Sequence, residues 1–380
     1  MRGIRILNIS WAIVFATLFH SYSAQTTSPS YQCSEFFVPV NVSAQTVQLN
    51  VTNPQNQFEL TNLLTQMAYT NATIDQDVTI GPATVNDTFN IWSQLCIPND
   101  FAADGVVEFT AHGSTFNHTY WNFRNGTGYN YAEAALRSGH AIFMYDGLGE
   151  GASDKPDGIQ KVQIGTEIAV AVALVKQLPS LLSFGKIVGV GHAHGSVVLI
   201  AALAQEGNLF DATVLTSISS TTAGLSAGLA GMDIEIATEA APEIWQNLES
   251  SYAVTGGFTN DQIGYYLYPF FDTDVFVEMQ SGRGLVTLGV LLTLPANSVA
   301  QEYTNPVLVV TGDHDFFMCG GVCDVAVGDF PSMPATVQSL FPSASNFTVM
   351  IPENTGHVMF MHLSGPDIIQ SIQDWMDGTV

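Results

Sequence analysis

A chain of 380 residues leaves room for one domain or two, and its 47% hydrophobic and 11% aromatic residues exclude a disordered or low-complexity protein. Charged residues are only 11%, and they divide into 34 acids against 9 bases for a net charge of −25. No Lys/Arg cluster interrupts that negative field, which excludes nucleic acid as a partner.

The chain opens on Arg2 and Arg5, an apolar run over 6–19, and small residues around Ser21, Ser23 and Ala24. That order predicts a secretory signal peptide over 1–24. Asn8 and Ser10 break the run, which falls short of the ~20 residues a spanning helix needs, so no membrane anchor is expected. Secretion gives meaning to seven N-x-[ST] sequons, at Asn41, Asn50, Asn71, Asn86, Asn117, Asn125 and Asn346, most of which are expected to carry glycans. An oxidising compartment also favours two disulfides over metal ligation for the even set Cys33, Cys96, Cys319 and Cys323. Three connectivities are open. In one, Cys319 and Cys323 close a five-residue loop through Gly320 and Gly321, and Cys33 pins the amino-terminal segment to Cys96.

Apolar runs bounded by turn residues predict strands at 106–111, 141–145, 186–190, 212–217, 307–311 and 347–351, each buried on both faces. Helices are predicted between them, at 166–178 and at 196–206, the second apolar nearly all round and stopped by Gly207. Such alternation predicts an α/β fold, a mostly parallel doubly wound sheet with ligands at the carboxyl ends of its strands. The stretch 219–304 is too long for a crossover and is read as a cap inserted into a core of 25–218 and 305–380. Its aromatics, Trp245, Tyr252, Tyr265, Tyr266, Tyr268, Phe270 and Phe271 among them, are mostly packing residues; those facing a cleft imply a small apolar or aromatic ligand.

The strand at 186–190 runs into Gly191-His192-Ala193-His194-Gly195 and then directly into a helix. A strand, tight turn and helix is the setting of the G-x-S-x-G elbow, whose glycines admit a strained turn and a close helix. Both glycines are present, but Ala193 stands where the serine would, and a methyl group cannot attack a carbonyl. Ser196 is the nearest hydroxyl and is expected to cap the helix. Past the next strands come Asp315, the expected acid with Asp313 as its competitor, and His357, the expected proton carrier. Upstream, His112-Gly113-Ser114 follows a strand, so the N–H groups of Ser114 and His194 are expected to serve one carbonyl oxygen. Neither a metal nor another cofactor is expected. His192 and His194 form an H-x-H pair without evident further ligands, and Gly147, Gly149 and Gly151 lack the spacing of a dinucleotide loop.

In this order the motifs resemble the α/β-hydrolase superfamily over nearly all of the chain after the signal. Asp146-Gly147-Leu148-Gly149-Glu150-Gly151-Ala152-Ser153 matches the D-x-x-G-x-G-x-S turn of that superfamily. Cys33, the Met318-Cys319 to Cys323 stretch and the tail from Gly356-His357 to His362 are similar to its secreted fungal branch. The resemblance implies an α/β-hydrolase fold, and ester, lactone or amide hydrolysis for relatives that keep the serine. For the chain as written it leaves three readings: a binder of an apolar ester- or lactone-like ligand without serine turnover, a non-hydrolytic enzyme using His357 and Asp315, or an active ester hydrolase if Ala193 is an introduced substitution.

Overall fold

The structure, a computed structural model, describes residues 30–380 except 70–71, 222 and 295–297; the expected signal segment and the Asn71 sequon lie outside the described residues. The chain first lays down a long antiparallel hairpin, β1 (Tyr31–Leu49) against β2 (Thr79–Pro98). Along β1, Val38, Val40, Val42 and Ala44 are buried while Pro39, Asn41 and Ser43 between them are exposed. That alternation is the mark of a strand with one wet face. It was legible at 38–44, but the hairpin is absent from the expectations above, which sought continuous apolar runs.

The remaining strands are β3 (Val106–Ala111), β4 (Ala141–Tyr145), β5 (Lys186–His192), β6 (Ala212–Thr216), β7 (Ile234–Ile236), β8 (Tyr252–Thr255), β9 (Val286–Thr287), β10 (Val307–Val310) and β11 (Phe347–Met350). Eight of the strands form one sheet in the order β1-β2-β4-β3-β5-β6-β10-β11, parallel from β4 onward, and β7, β8 and β9 form a small antiparallel sheet of their own. The six predicted strands are all present, and so is the mostly parallel sheet with helices on both faces. β5 runs two residues past its expected end because His192 still pairs with Thr216.

One face of the sheet is covered by α4 (Ile164–Leu181) and α5 (His194–Glu206), whose Val170, Leu174, Leu199 and Leu203 pack on Phe109, Phe143 and Val309. The other face carries α3 (Tyr131–Arg137) and the carboxy-terminal helix Gly365–Asp377, with Tyr131, Ile369 and Ile372 against Met144, Val190 and Leu308. Fully burying each such side chain stabilises by about 1.5–3 kcal/mol. α5 stops where Gly207 takes a φ of 64°, out of reach of the helical region for an ordinary residue.

Two excursions leave this core at the end where the parallel strands finish. The first is the tip of the hairpin, α1 (Gln57–Ala68) and α2 (Ile74–Val78). Asn56 caps α1 by accepting from the Glu59 N–H, and Leu60 and Leu64, four residues apart, are its buried stripe. The second runs between β6 and β10 and contains α6 (Leu225–Gly231) and the small sheet. The two meet: the Gln57 side chain donates to the Ile234 carbonyl at 2.8 Å and accepts from the Ile236 N–H at 2.9 Å. A separate apolar cluster lies between them, with Leu60, Leu64, Ile234, Ile236, Val286, Leu288 and Leu292.

Both disulfides form, Cys33 with Cys96 and Cys319 with Cys323, and no described cysteine is free. Cys33 and Cys96 are register partners across β1 and β2, so this bridge staples the open end of the hairpin.

Candidate active site

The turn between β5 and α5 is set by backbone crowding. A Cβ on Gly191 would lie 2.7 Å from the Ser196 backbone, and one on Gly195 would collide with the Ala111 carbonyl. Between these glycines Ala193 adopts φ 49°, ψ −111°, a left-handed conformation costing of order 1–3 kcal/mol in a residue with a side chain. It persists because its neighbours hold it: the Ala193 N–H donates to the Thr216 carbonyl at 2.9 Å, and Ser196 Oγ donates to the same carbonyl at 3.0 Å. Ser196 is therefore inside the helix and fully buried, tying the turn to β6. This corrects the expected capping role, since the side chain of a residue three positions inside α5 points to β6 rather than to the first N–H groups.

The two histidines beside Ala193 diverge. His192 is buried, with Nδ1 3.2 Å from Tyr120 Oη and 3.1 Å from Thr216 Oγ1, and its ring stacks on Tyr120. Burial, reinforced by the nearby His357, holds it well below the ordinary histidine range, so it is neutral. His194 turns the other way and binds Glu167 of α4 through Nε2.

At the end of β3, His112 Nε2 accepts from the Gly147 N–H at 2.8 Å, which fixes the proton on Nδ1 for donation to the Gly113 carbonyl at 2.9 Å. Burial holds this imidazole below its usual range as well. The loop carrying Ser114 is thus held to the 146–153 turn. That turn closes on the Asp146 carboxylate, which accepts from the Ala152 N–H and from His118. Glu150 of the same turn accepts from the Leu285 N–H at 2.6 Å, its carboxyl pushed well up by burial. Within the described residues neither the Ser114 N–H nor the His194 N–H is spent on a hydrogen bond.

Asp315 is fully buried and caps the short helix Phe316–Cys319 through the Met318 N–H. His357 Nδ1 lies 2.8 Å and 3.0 Å from its two carboxylate oxygens. Asp313 faces elsewhere, accepting from the Thr355 N–H and pairing with His314. Two residues hold the His357 loop. Ser217 Oγ donates to the His357 carbonyl at 2.6 Å, and His362 Nε2 accepts from both Gly356 N–H and Leu267 N–H. Burial pushes His362 down to about 4, keeping it the neutral acceptor that this arrangement needs. His362 was visible only as part of a tail motif; Gly356, six residues away, belongs to that motif, but Leu267, ninety-five residues away, is not encoded in local spacing.

Ser114, Ala193, His194 and His357 all line one cavity of ≈ 380 Å³. Its walls are aliphatic: Val197 and Ile200 of α5, Ile218, Leu225 and Leu229, Leu291 and Leu292, and Met67 and Ile74 from the hairpin tip. Of the aromatics singled out in 219–304, only Tyr265 reaches it. Trp245 and Phe270 are half-buried and Tyr268 is exposed. The roof therefore comes from two chain segments, and the hairpin contribution lies outside the expected cap.

A model of the alpha/beta hydrolase family matches residues 109–369. The chain belongs to the alpha/beta hydrolase family. No curated protein matches it in sequence. Among solved structures, the peroxisomal alpha-beta-hydrolase Lpx1 from Saccharomyces cerevisiae is similar at 10% identity and a TM-score of 0.52, over 92% of this chain and 90% of that one. The monoacylglycerol lipase of Paleococcus ferrophilus is similar at 14% identity and a TM-score of 0.50, over 76% and 98% respectively. A putative hydrolase from Rickettsia typhi gives 10% identity and a TM-score of 0.50, over 92% and 100%. At such identities these likenesses establish the alpha/beta hydrolase fold.

Proposed function

We propose that this alpha/beta hydrolase is a secreted ligand-binding protein in which Ala193 occupies the nucleophile position, so that it binds an apolar ester- or lactone-like molecule without serine turnover. The observation that carries this reading is the turn at Ala193. A strained left-handed conformation is kept, beside an Asp315–His357 pair and two unspent N–H groups, around a side chain that cannot attack. Secretion is supported by the two disulfides and by the exposure of Asn41, Asn50, Asn86, Asn125 and Asn346. Asn117 is half-buried and its Oδ1 accepts from Thr119, which makes it the weakest acceptor site of the six described.

The test restores one atom. Ala193→Ser should hydrolyse small aryl esters at least a few hundredfold faster than the unmodified protein, since the serine would meet an imidazole and an oxyanion site already in place. The unmodified protein should not be labelled by a serine-directed phosphonate. A folded Ala193→Ser protein that is inert on a broad ester and lactone panel would refute the proposal. Turnover by the unmodified protein that dies with His357→Ala would favour acid–base catalysis by His357 alone.

A further inference from the structure

Resting on the reading of Ala193 as a vacant nucleophile position, and departing from it on the ester-like ligand, the site can be taken one step further, to the head group and tail of what it binds. His357 is 4% exposed, with Nδ1 committed to Asp315, and within the described residues its Nε2 has no hydrogen-bond partner although the ring lines the cavity. In a serine hydrolase the hydroxyl takes that position. Here the cavity offers two donors at one end, the Ser114 and His194 N–H groups, beside an Nε2 that becomes a third donor once it takes up an acid's proton. An ester carbonyl satisfies the two backbone donors and leaves the imidazole facing a poorly accepting ester oxygen. A carboxylate has two strong acceptor oxygens, one for the N–H pair and one for Nε2–H, and charge-assisted hydrogen bonds are about twice as strong as neutral ones.

The walls decide the tail. Among the described residues Tyr265 and Phe317 are the only phenyl or phenol rings in the lining, and both stand at the head-group end, with ring centroids 5.9 and 4.9 Å from that of His357. Beyond them the surface is mainly aliphatic, with Met67, Val197, Ile200, Ile218, Leu229 and Leu291 as flexible or branched chains that suit an aliphatic chain and the hydroxyls of Ser219, Thr221, Ser226 and Ser298 between them. We infer that the site is a receptor for an aliphatic monocarboxylic acid, bound as its anion with the acid proton held on His357 Nε2.

The groups facing His357 are compatible with that arrangement. Asp315 lies behind the ring and stabilises an imidazolium. His192, with its ring centroid 5.2 Å away, is neutral, and Tyr265 is uncharged. Among the described residues Asp75, at the hairpin tip, is the only carboxylate in the lining, and Glu167 is engaged by His194.

Calorimetry at pH 7 on the unmodified protein with decanoate, methyl decanoate and 1-decanol tests the head group without any variant. Decanoate should bind at least tenfold more tightly than the other two. His357→Leu should bring decanoate down to the level of the ester while moving the ester by less than threefold. Equal or tighter binding of the ester or alcohol, an unmoved decanoate affinity in His357→Leu, or no binding of any of the three would overturn the inference; tighter binding of 3-phenylpropionate than of decanoate would overturn its aliphatic tail. Should His357→Leu fail to fold, the ranking on the unmodified protein still decides. An Ala193→Ser protein that hydrolyses esters, with the ester preferred over the acid, leaves the proposed function standing while the carboxylate inference falls.

Discussion

The floor and the roof of the cavity are built on different principles. The floor is backbone: glycines with no room for a Cβ, a left-handed Ala193, and carbonyls and N–H groups locked by Ser196, Ser217, His112 and His362. The roof is side chains, Leu60, Leu64, Ile234, Leu288 and Leu292 meeting in a cluster apart from the main core. A floor fixed by backbone keeps its shape whatever side chain stands at the turn, and under the proposed function Ala193 is such a case. A roof fixed by side-chain packing decides instead what the cavity admits.

The contrast breaks most visibly if the floor is not intact. In an Ala193→Ser background, Asp315→Asn should lower kcat by about 10³–10⁴-fold, because the imidazole loses the partner that fixes its tautomer, whereas Asp313→Asn should change it by less than fivefold. Equal losses from the two would place the acid wrongly. Esterase kinetics of the two double variants decide it.

The disulfides sharpen the contrast through stability. Cys33 and Cys96 are separated by 63 residues and enclose the hairpin that carries part of the roof, whereas Cys319 and Cys323 are separated by 4 and sit beside Asp315. On loop entropy alone, removing the first by double Cys→Ser substitution should cost about 4 kcal/mol and removing the second about 2 kcal/mol. Chemical denaturation of the two variants gives the ranking. A larger loss at 319–323 would show that this short loop supports the floor by more than entropy.

The smallest effect expected on chemistry, though not on packing, comes from the roof. Leu60→Ala should destabilise by up to about 2–5 kcal/mol if the whole protein unfolds with the roof, and by less if the roof opens by itself. In the Ala193→Ser background it should raise KM for long-chain esters severalfold and leave kcat within twofold. Hydrogen exchange in α1 and β7 should quicken while β5 and β10 stay protected.

The difference between floor and roof also governs what could be read from the sequence. Strands such as Ala141–Tyr145 and Val307–Val310 are buried on both faces and write themselves as unbroken apolar runs. The elbow, Asp315 and His357 follow them at fixed local spacings, so the sequence places them directly. The hairpin was missed because its outer face is polar, and only the alternation at Val38, Val40 and Val42 betrays it. The floor's supports escaped for another reason. His112 to Gly147 and His362 to Leu267 are contacts between distant loops, and no period in the chain encodes them.

The pairing of Gln57 with Ile234 and Ile236 has a consequence for how the chain is made. The hairpin can close as soon as residue 98 has left the ribosome, yet the stripe of Leu60 and Leu64 finds its cover only with residues 234–236 and 286–292. At 5–20 residues per second, that leaves α1 waiting roughly 10–40 s with its apolar face open. Such long sequence separation makes the roof a late contact set to form, and its unfinished part is the surface through which nascent chains would find one another.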